Sequence, residues 1–146
     1  MRKKPFRVGR SFTGLGLFAT QPLKKRKRIV EYKGPLLGLK EAERRENTSN
    51  RYLFEVNSRW TIDGTSRRNV ARYVNHSCGP NAEAVTVKDN KVFVRALRNI
   101  KPGEEITYDY GRDYLKNVIT LSRCKCGRCR RRKLRKRRDA RAAGAR

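Results

Sequence analysis

Nothing in this sequence is suited to a bilayer. No apolar run approaches the ~18–20 residues needed to cross one. The basic start MRKKPFRVGR is not followed by the apolar stretch of a secretory signal. An intracellular, non-membrane protein is expected, nucleoid- or nucleus-associated if its basic runs serve as an address. Acidic residues are scarce, with 13 Asp and Glu against 39 Lys and Arg, for a net charge of +26. Hydrophobic residues make up only 36 % of the chain, low for a fully globular protein, and 146 residues leave room for one domain. There is no internal repeat, one histidine (His76) and four cysteines.

The positive charge is concentrated at the ends. Residues 1–28 carry 10 Lys and Arg and no acid, and residues 123–146 carry 13 with one acid, Asp139. The segment between them is nearly balanced. Runs such as KKRKR (24–28) and RRRKLRKRR (130–138) repel themselves and attract polyanions. Nucleic acid held through the basic ends is the natural reading, with counterion release as the driving force. The competing readings are solubilisation or an import signal.

The elements are short. FTGLGLFAT (12–20) reads as a glycine turn entering a strand, and Ile29–Tyr32 as a strand ahead of Gly34-Pro35. KEAERRENTSN (40–50) is the one good short-helix candidate. RYLFEV (51–56) and WTIDG (60–64) read as strands around an Asn-Ser turn. EAVTVKDNKVFVRAL (83–97) is the cleanest hairpin, with β-branched residues alternating on both sides of Lys88–Lys91. A mostly-β fold follows. Gly14-Leu15-Gly16 lacks the strand–loop–long-helix setting of a dinucleotide fingerprint. What remains there is a backbone that a ligand can approach closely.

Cys124, Cys126 and Cys129 form a C-x-C-x2-C cluster, and Cys78 is the remaining cysteine. Three clustered thiols and one distant thiol match a tetrahedral structural zinc site, with nearby Arg and Lys favouring thiolates. Disulfides and a Cys126–Cys129 redox pair are the alternatives. His76, two residues before Cys78, raises a further question: a Cys–His nucleophile or part of a metal site. A zinc role for Cys78 argues against the nucleophile.

The motifs fall into one order: Gly14-Leu15-Gly16, Glu31-Tyr32-x-Gly34, Tyr52-Leu53-Phe54, Ile62-Asp63, ARYVNHSCGPN (71–81), KPGEEITYDY (101–110) and the cysteine tail. Over about residues 6–130 this resembles a SET-domain protein lysine methyltransferase with a short post-SET zinc motif, of the stand-alone minimal kind. The resemblance implies small curved sheets in which the NHSC and ITYDY segments thread past one another in a pseudoknot. It implies a basic segment at 1–11, a SET domain at 12–115, a post-SET zinc segment at 116–130 and a basic, disordered tail at 131–146. S-adenosylmethionine is the implied cofactor. It would be held by the Gly14–Gly16 backbone with Leu15, by Tyr52, Arg72, Asn75 and His76, and beside Tyr110.

By the same resemblance Tyr110 is the catalytic tyrosine and Tyr32 lines the lysine channel. Tyr108 sets the product degree, and a tyrosine there implies monomethylation. Cys78, Cys124, Cys126 and Cys129 would hold zinc. The sequence departs from the family at Pro35, at Arg68 and in the two-residue spacing of its last cysteines. The implied substrate is a lysine-bearing basic protein, a histone or histone-like protein. A chain of +26 should repel such a substrate, unless Glu104, Glu105, Asp109 and Asp113 make an acidic entrance or nucleic acid carries both. A catalytically silent, nucleic-acid-binding SET fold, methylation of the basic arms in cis and a small zinc-ribbon protein are the competing readings.

Overall fold

The computed structural model describes residues 2–48, 50–120 and 123–145. Parts of the expectations above that fall on Met1, Ser49, Leu121, Ser122 or Arg146 lie outside it. Ten short strands form three small sheets among the described residues.

In the first sheet β1 (Phe6–Ser11) and β2 (Gly14–Ala19) make an antiparallel hairpin. Gly14 lies at φ 111° in its turn, a region open to glycine at little cost. On the other side of β2 lies β10 (Glu105–Tyr108), followed by β7 (Asn75–His76). The second sheet has the order β3 (Arg28–Tyr32), β9 (Lys91–Ala96), β8 (Ala82–Val87). The expected hairpin at 83–97 is its β8–β9 pair, running from Ala82 opposite Ala96 to Val87 opposite Lys91. Asp89 and Asn90 turn it at positive φ, which their short side chains tolerate. The third sheet has the order β4 (Leu36–Leu37), β6 (Thr61–Asp63), β5 (Leu53–Glu55).

The shared core takes Leu17, Val74, Val92, Val94 and Ile106, all at or below 1 % exposure, with Leu23 and Ile100. Each such side chain contributes about 1.5–3 kcal/mol by leaving water. The low overall hydrophobic content is thus concentrated between the sheets.

The helix expected at 40–50 is α1 (Leu39–Glu46). Its Arg45 pairs with Glu41 and with the buried carboxylate of Asp63 on β6. Asp63 also accepts from the Thr65 hydroxyl (2.5 Å) and N–H (3.0 Å). Burial works to raise its pKa, but the Thr65, Arg45 and Asn50 donors together hold it below the usual carboxylate range.

One expectation about the ends is corrected, and the other end gains a strand. The basic segment expected at 1–11 includes β1, whose Phe6–Ser11 pairs residue for residue with β2. The tail expected to be disordered from 131 onward is helical through Gly144, as part of α3 (Gly127–Gly144). Two local factors outweigh the self-repulsion inferred from composition. Arg, Lys, Leu and Ala are all good helix formers, and the Cys126 side chain caps the first turn by accepting the Cys129 N–H. Like charges still stand four apart, as at Arg131/Arg135 and Lys133/Arg137.

Raising salt from about 0.01 M to about 1 M shortens the screening length from ~30 to ~3 Å. The far-UV circular dichroism should then gain helix, and a Leu134→Pro variant should lose that gain. A salt-independent spectrum would contradict the repulsion argument. For Asp63, the depressed folded-state pKa means that its stabilisation is complete above about pH 4. It is lost as pH falls through the folded value. Asp63→Asn should cost about 1.5–3 kcal/mol near neutral pH and flatten the acid limb of a urea-stability profile. An unchanged acid limb would assign that limb to other groups.

Candidate active site

The site is organised where β7 and β10 run parallel, with Thr107 opposite Asn75 and Tyr108 opposite His76. These are the two segments expected to thread past one another. The Ser77 N–H donates to the Tyr108 carbonyl (3.1 Å). Asn81 clamps β10 twice, donating to the Glu105 carbonyl (2.8 Å) and accepting from the Thr107 N–H (2.9 Å). Asn81 is buried, so both of these bonds replace lost water contacts.

Three tyrosines pack together from the end of β10 onward, with tilted and edge-on rings. The ring centroids of Tyr108 and Tyr110 are 4.8 Å apart, and those of Tyr110 and Tyr114 are 5.0 Å apart at 84°. The Tyr110 hydroxyl donates to the Val74 carbonyl. Tyr32 donates to the Tyr52 carbonyl (2.7 Å), and its ring packs on Phe54 (5.4 Å). Burial is the main cause that pushes the phenols of Tyr32, Tyr108 and Tyr110 well above their ordinary pKa. They stay protonated at neutral pH. Tyr108, Asp109 and Tyr110 line one cavity of about 350 Å³, together with Phe54, Ala82 and Glu83.

The residues expected to hold a cofactor fall into two groups. In one, Asn75 Nδ2 donates to the Leu15 carbonyl (2.9 Å) and to Glu105 Oε1 (2.8 Å), which ties β7 to the start of β2. A Cβ at Gly16 would collide with that Glu105 carboxylate. In the other, the Arg72 guanidinium lies 3.8 Å from the Tyr52 ring centroid and donates to the Thr65 carbonyl. Arg72 Nε is buried without a hydrogen-bond partner.

His76 joins this region to the cysteines. Its Nδ1 accepts from the Tyr110 N–H (3.1 Å), so in the neutral ring Nε2 carries the proton and faces Cys78 Sγ at 3.3 Å. Burial lowers the His76 pKa, with Asp109 opposing. The ring is therefore neutral at pH 7.

The clustered Cys124, Cys126 and Cys129 and the distant Cys78 converge with all sulfurs within 4.8 Å of one another, and all are free thiols. Cys78 Sγ lies 3.7 Å from Cys129 Sγ and 4.0 Å from Cys124 Sγ. Tetrahedral zinc with Zn–S near 2.3 Å needs sulfurs about 3.8 Å apart. The donor set and spacing therefore fit zinc, and Cys78, wedged among three thiols, does not have the surroundings of a nucleophile. For Cys126, burial is outweighed by the N–H groups of Cys78 and Cys129 and by the neighbouring thiols, which bring its pKa down to about 6.

The acidic entrance expected from four residues is reduced. Glu104 pairs with Arg98 (3.0 Å) and caps the Lys101 N–H (2.5 Å). Glu105 accepts from Ser11 Oγ (2.9 Å) and Asn75. Asp109 alone of the four lines the cavity, together with Glu83, whose charge is met by Arg95 at 2.5 Å. Glu105 is the site residue that sequence reasoning misplaced, and Glu83 and Tyr114 are residues it missed. A charge pattern along a strand does not say which carboxylate turns inward.

The family model described as SET domain matches residues 14–111. The chain belongs to the SET-domain family. The chain is 41 % identical over 122 residues to histone-lysine N-methyltransferase 2D of Homo sapiens, an alignment covering 78 % of this chain and 2 % of that protein. It is 35 % identical over 136 residues to the Candida albicans histone-lysine N-methyltransferase described as H3 lysine-4 specific, covering 86 % of this chain and 13 % of that protein. Among solved structures, it is similar to a chain of a humanized mutant of the Chaetomium thermophilum Polycomb Repressive Complex 2 bound to the inhibitor GSK126. That likeness has a TM-score of 0.68 at 28 % identity and covers 75 % of this chain and 15 % of that one. The chain thus spans only a small part of the length of these relatives. The small sheets and the cysteine cluster agree with the SET fold and post-SET segment expected. No described helix is long and apolar enough to cross a membrane.

Elemental analysis should find about one zinc per chain. Cys78→Ser should lose the metal and lower the thermal midpoint. Cys126→Ser should also lose the metal but retain more α3 helicity than Cys126→Ala, because serine is a good N-cap worth about 1 kcal/mol. A fully folded, metal-free wild type would remove the zinc assignment.

Proposed function

We propose that this chain is an S-adenosylmethionine-dependent protein-lysine N-methyltransferase. On this reading it mono-methylates a nucleic-acid-associated basic protein such as a histone or histone-like protein. The observation that carries the proposal is the protonated tyrosine group of buried Tyr32 and Tyr108 and partly buried Tyr110, beside the paired β7 and β10 strands. The histone-lysine methyltransferase names of the relatives support the substrate class.

The cofactor supplies a methyl group on a sulfonium for in-line transfer to a neutral amine. The chain's residues fit such a molecule in two places. The unpartnered Arg72 Nε suits a carboxylate, with Tyr52 stacked on the same guanidinium. Asn75 spends both Nδ2 hydrogens on Leu15 and Glu105, which leaves Oδ1 to accept from an adenine amino group. The backbone at Gly14–Gly16 and at His76 would complete that pocket.

The tyrosines contribute desolvation and alignment. Free lysine is almost wholly protonated at pH 7, and an apolar aromatic channel lowers its pKa toward the reactive neutral form. The Tyr110 hydroxyl spends its proton on Val74, so its lone pairs remain to orient the amine. Tyr32 would wall the channel, with its hydroxyl locked to Tyr52. Tyr108 crowds the channel and limits the product to one methyl. The post-SET reading of residues 116–130 rests on zinc at Cys78, Cys124, Cys126 and Cys129. The +26 charge would keep the enzyme on the nucleic acid that carries its substrate, through both basic ends. That charge also favours the competing reading, a catalytically silent SET fold that holds nucleic acid.

A labelled-cofactor assay on core histones, nucleosomes, a bacterial histone-like protein and the enzyme alone decides between them. Lysine label is expected on a basic substrate. Tyr110→Phe should reduce it about 100-fold or more, and Tyr108→Phe should shift the product toward higher methylation by mass. Absence of label together with absence of cofactor binding by calorimetry would favour the silent fold.

A further inference from the structure

The KKRKR run is not an arm. Lys24–Arg28 lies between two buried residues, Leu23 and Ile29, and its backbone is tied to a turn about seventy residues away. Leu23 and Ile100 exchange backbone hydrogen bonds of 2.9 and 2.8 Å. The Arg26 N–H donates to the Ala96 carbonyl (2.8 Å), and the Ala96 N–H donates to the Lys27 carbonyl (2.9 Å). The Lys25 N–H donates to Asn99 Oδ1 (2.9 Å). The N-terminus joins the same corner, since the Thr20 N–H donates to the Pro5 carbonyl (3.0 Å) and its hydroxyl to the Lys4 carbonyl (3.2 Å). The Gly103 N–H closes the set by donating to the Ala19 carbonyl (2.8 Å).

We propose that residues 3–5, 19–27 and 96–104 form one preorganised phosphate-binding corner for duplex nucleic acid, distinct from α3. Lys3 and Lys4, the run Lys24–Lys27 and Lys101 are all exposed there. Among the described residues none of these seven has a carboxylate partner. The nearby acid, Glu104, is spent on Arg98 and the Lys101 N–H. The charge therefore faces solvent on fixed backbone, which reduces the ordering cost of binding a rigid polyanion.

The chemistry favours a duplex over other anions. An anionic membrane surface would draw on aromatic and apolar side chains for insertion, and a single strand would draw on aromatic platforms for stacking. The exposed aromatics Phe12 and Trp60 stand on other turns, and Leu97 is the one exposed large apolar side chain among the described residues of the corner, too little apolar surface for insertion. Phe12 marks the far end of the β1–β2 hairpin, where Arg130 of α3 covers it at 3.3 Å. The corner stands at the open end, where Phe6 pairs with Ala19. Six-residue strands put those ends about 17 Å apart, so the corner and the base of α3 are separate contacts.

The test uses the full chain and a short labelled DNA duplex, with affinity measured by anisotropy across a salt series. The corner variant is Lys24→Gln, Lys25→Gln and Lys27→Gln, and methyl transfer is assayed separately. Loss of three phosphate contacts should reduce the slope of log K against log salt by about 2.7. An independent variant, Lys3→Gln, Lys4→Gln and Lys101→Gln, should give a comparable loss if the three turns act as one surface. It also covers the case in which the first variant has an altered thermal midpoint. Slopes unchanged in both folded variants would overturn the proposal. Wild-type affinity for polyglutamate or for anionic phospholipid vesicles equal to that for the duplex would overturn it as well. The nucleic-acid assignment does not depend on catalysis, so an inactive enzyme that shows both slope losses leaves it standing.

Discussion

Asn75–His76 lies parallel to Thr107–Tyr108, and parallel neighbours cannot be joined by a tight turn. The chain between them travels out through the β8–β9 hairpin and back past Ile100 before it can close the pair. Asn81, at the root of that excursion, clamps β10 on both sides of Ile106. Because the pairing brings the two motifs together, the Tyr110 N–H can donate to His76 Nδ1 and the Tyr110 hydroxyl to the Val74 carbonyl. Asn75 can reach Leu15 and Glu105 from the same position. The tyrosine stack, the β2 backbone and the cysteine cluster all take their positions from these few residues.

His76 couples the two halves of the site. One ring nitrogen holds the backbone ahead of the tyrosine stack, and the other faces the sulfur cluster. The cysteine cluster in turn starts α3, through the Cys126 cap and the Arg128 side chain donating to the Cys78 carbonyl (3.0 Å). A metal bound by the four sulfurs would therefore order a long cationic helix and brace the wall of the proposed methyl-transfer site in one step.

Electrostatics divides the molecule in a complementary way. Its interior site is made of neutral phenols, a neutral imidazole and a few carboxylates, each already committed to a donor or a cation. Its excess charge stands on α3 and on the turns around Lys24–Lys27. Separation of this kind would let the proposed methyl-transfer site stay apolar while the proposed corner holds a polyanion elsewhere.

Local pattern and motif chemistry were enough to read the β8–β9 hairpin, α1, the short strands around Ile62, the thiol set and the motif order of the SET family. Strand alternation, turn residues and metal-ligand spacing are properties of neighbouring residues and need no knowledge of the fold. The helical tail was misread because its charge was counted without its cap, and the cap depends on where Cys126 sits against Cys78. Glu105 was misread because nothing in GEEITYDY says which carboxylate faces Ser11 and Asn75. The Lys24–Lys27 turn looked like part of an arm because its hydrogen-bond partners lie about seventy residues further along the chain. The sequence alone determined which groups this protein has for its chemistry. Tertiary structure alone decided which of them meet, because β7–β10 pairing, the Leu23–Ile100 bridge and the sulfur cluster join residues that no local signal connects.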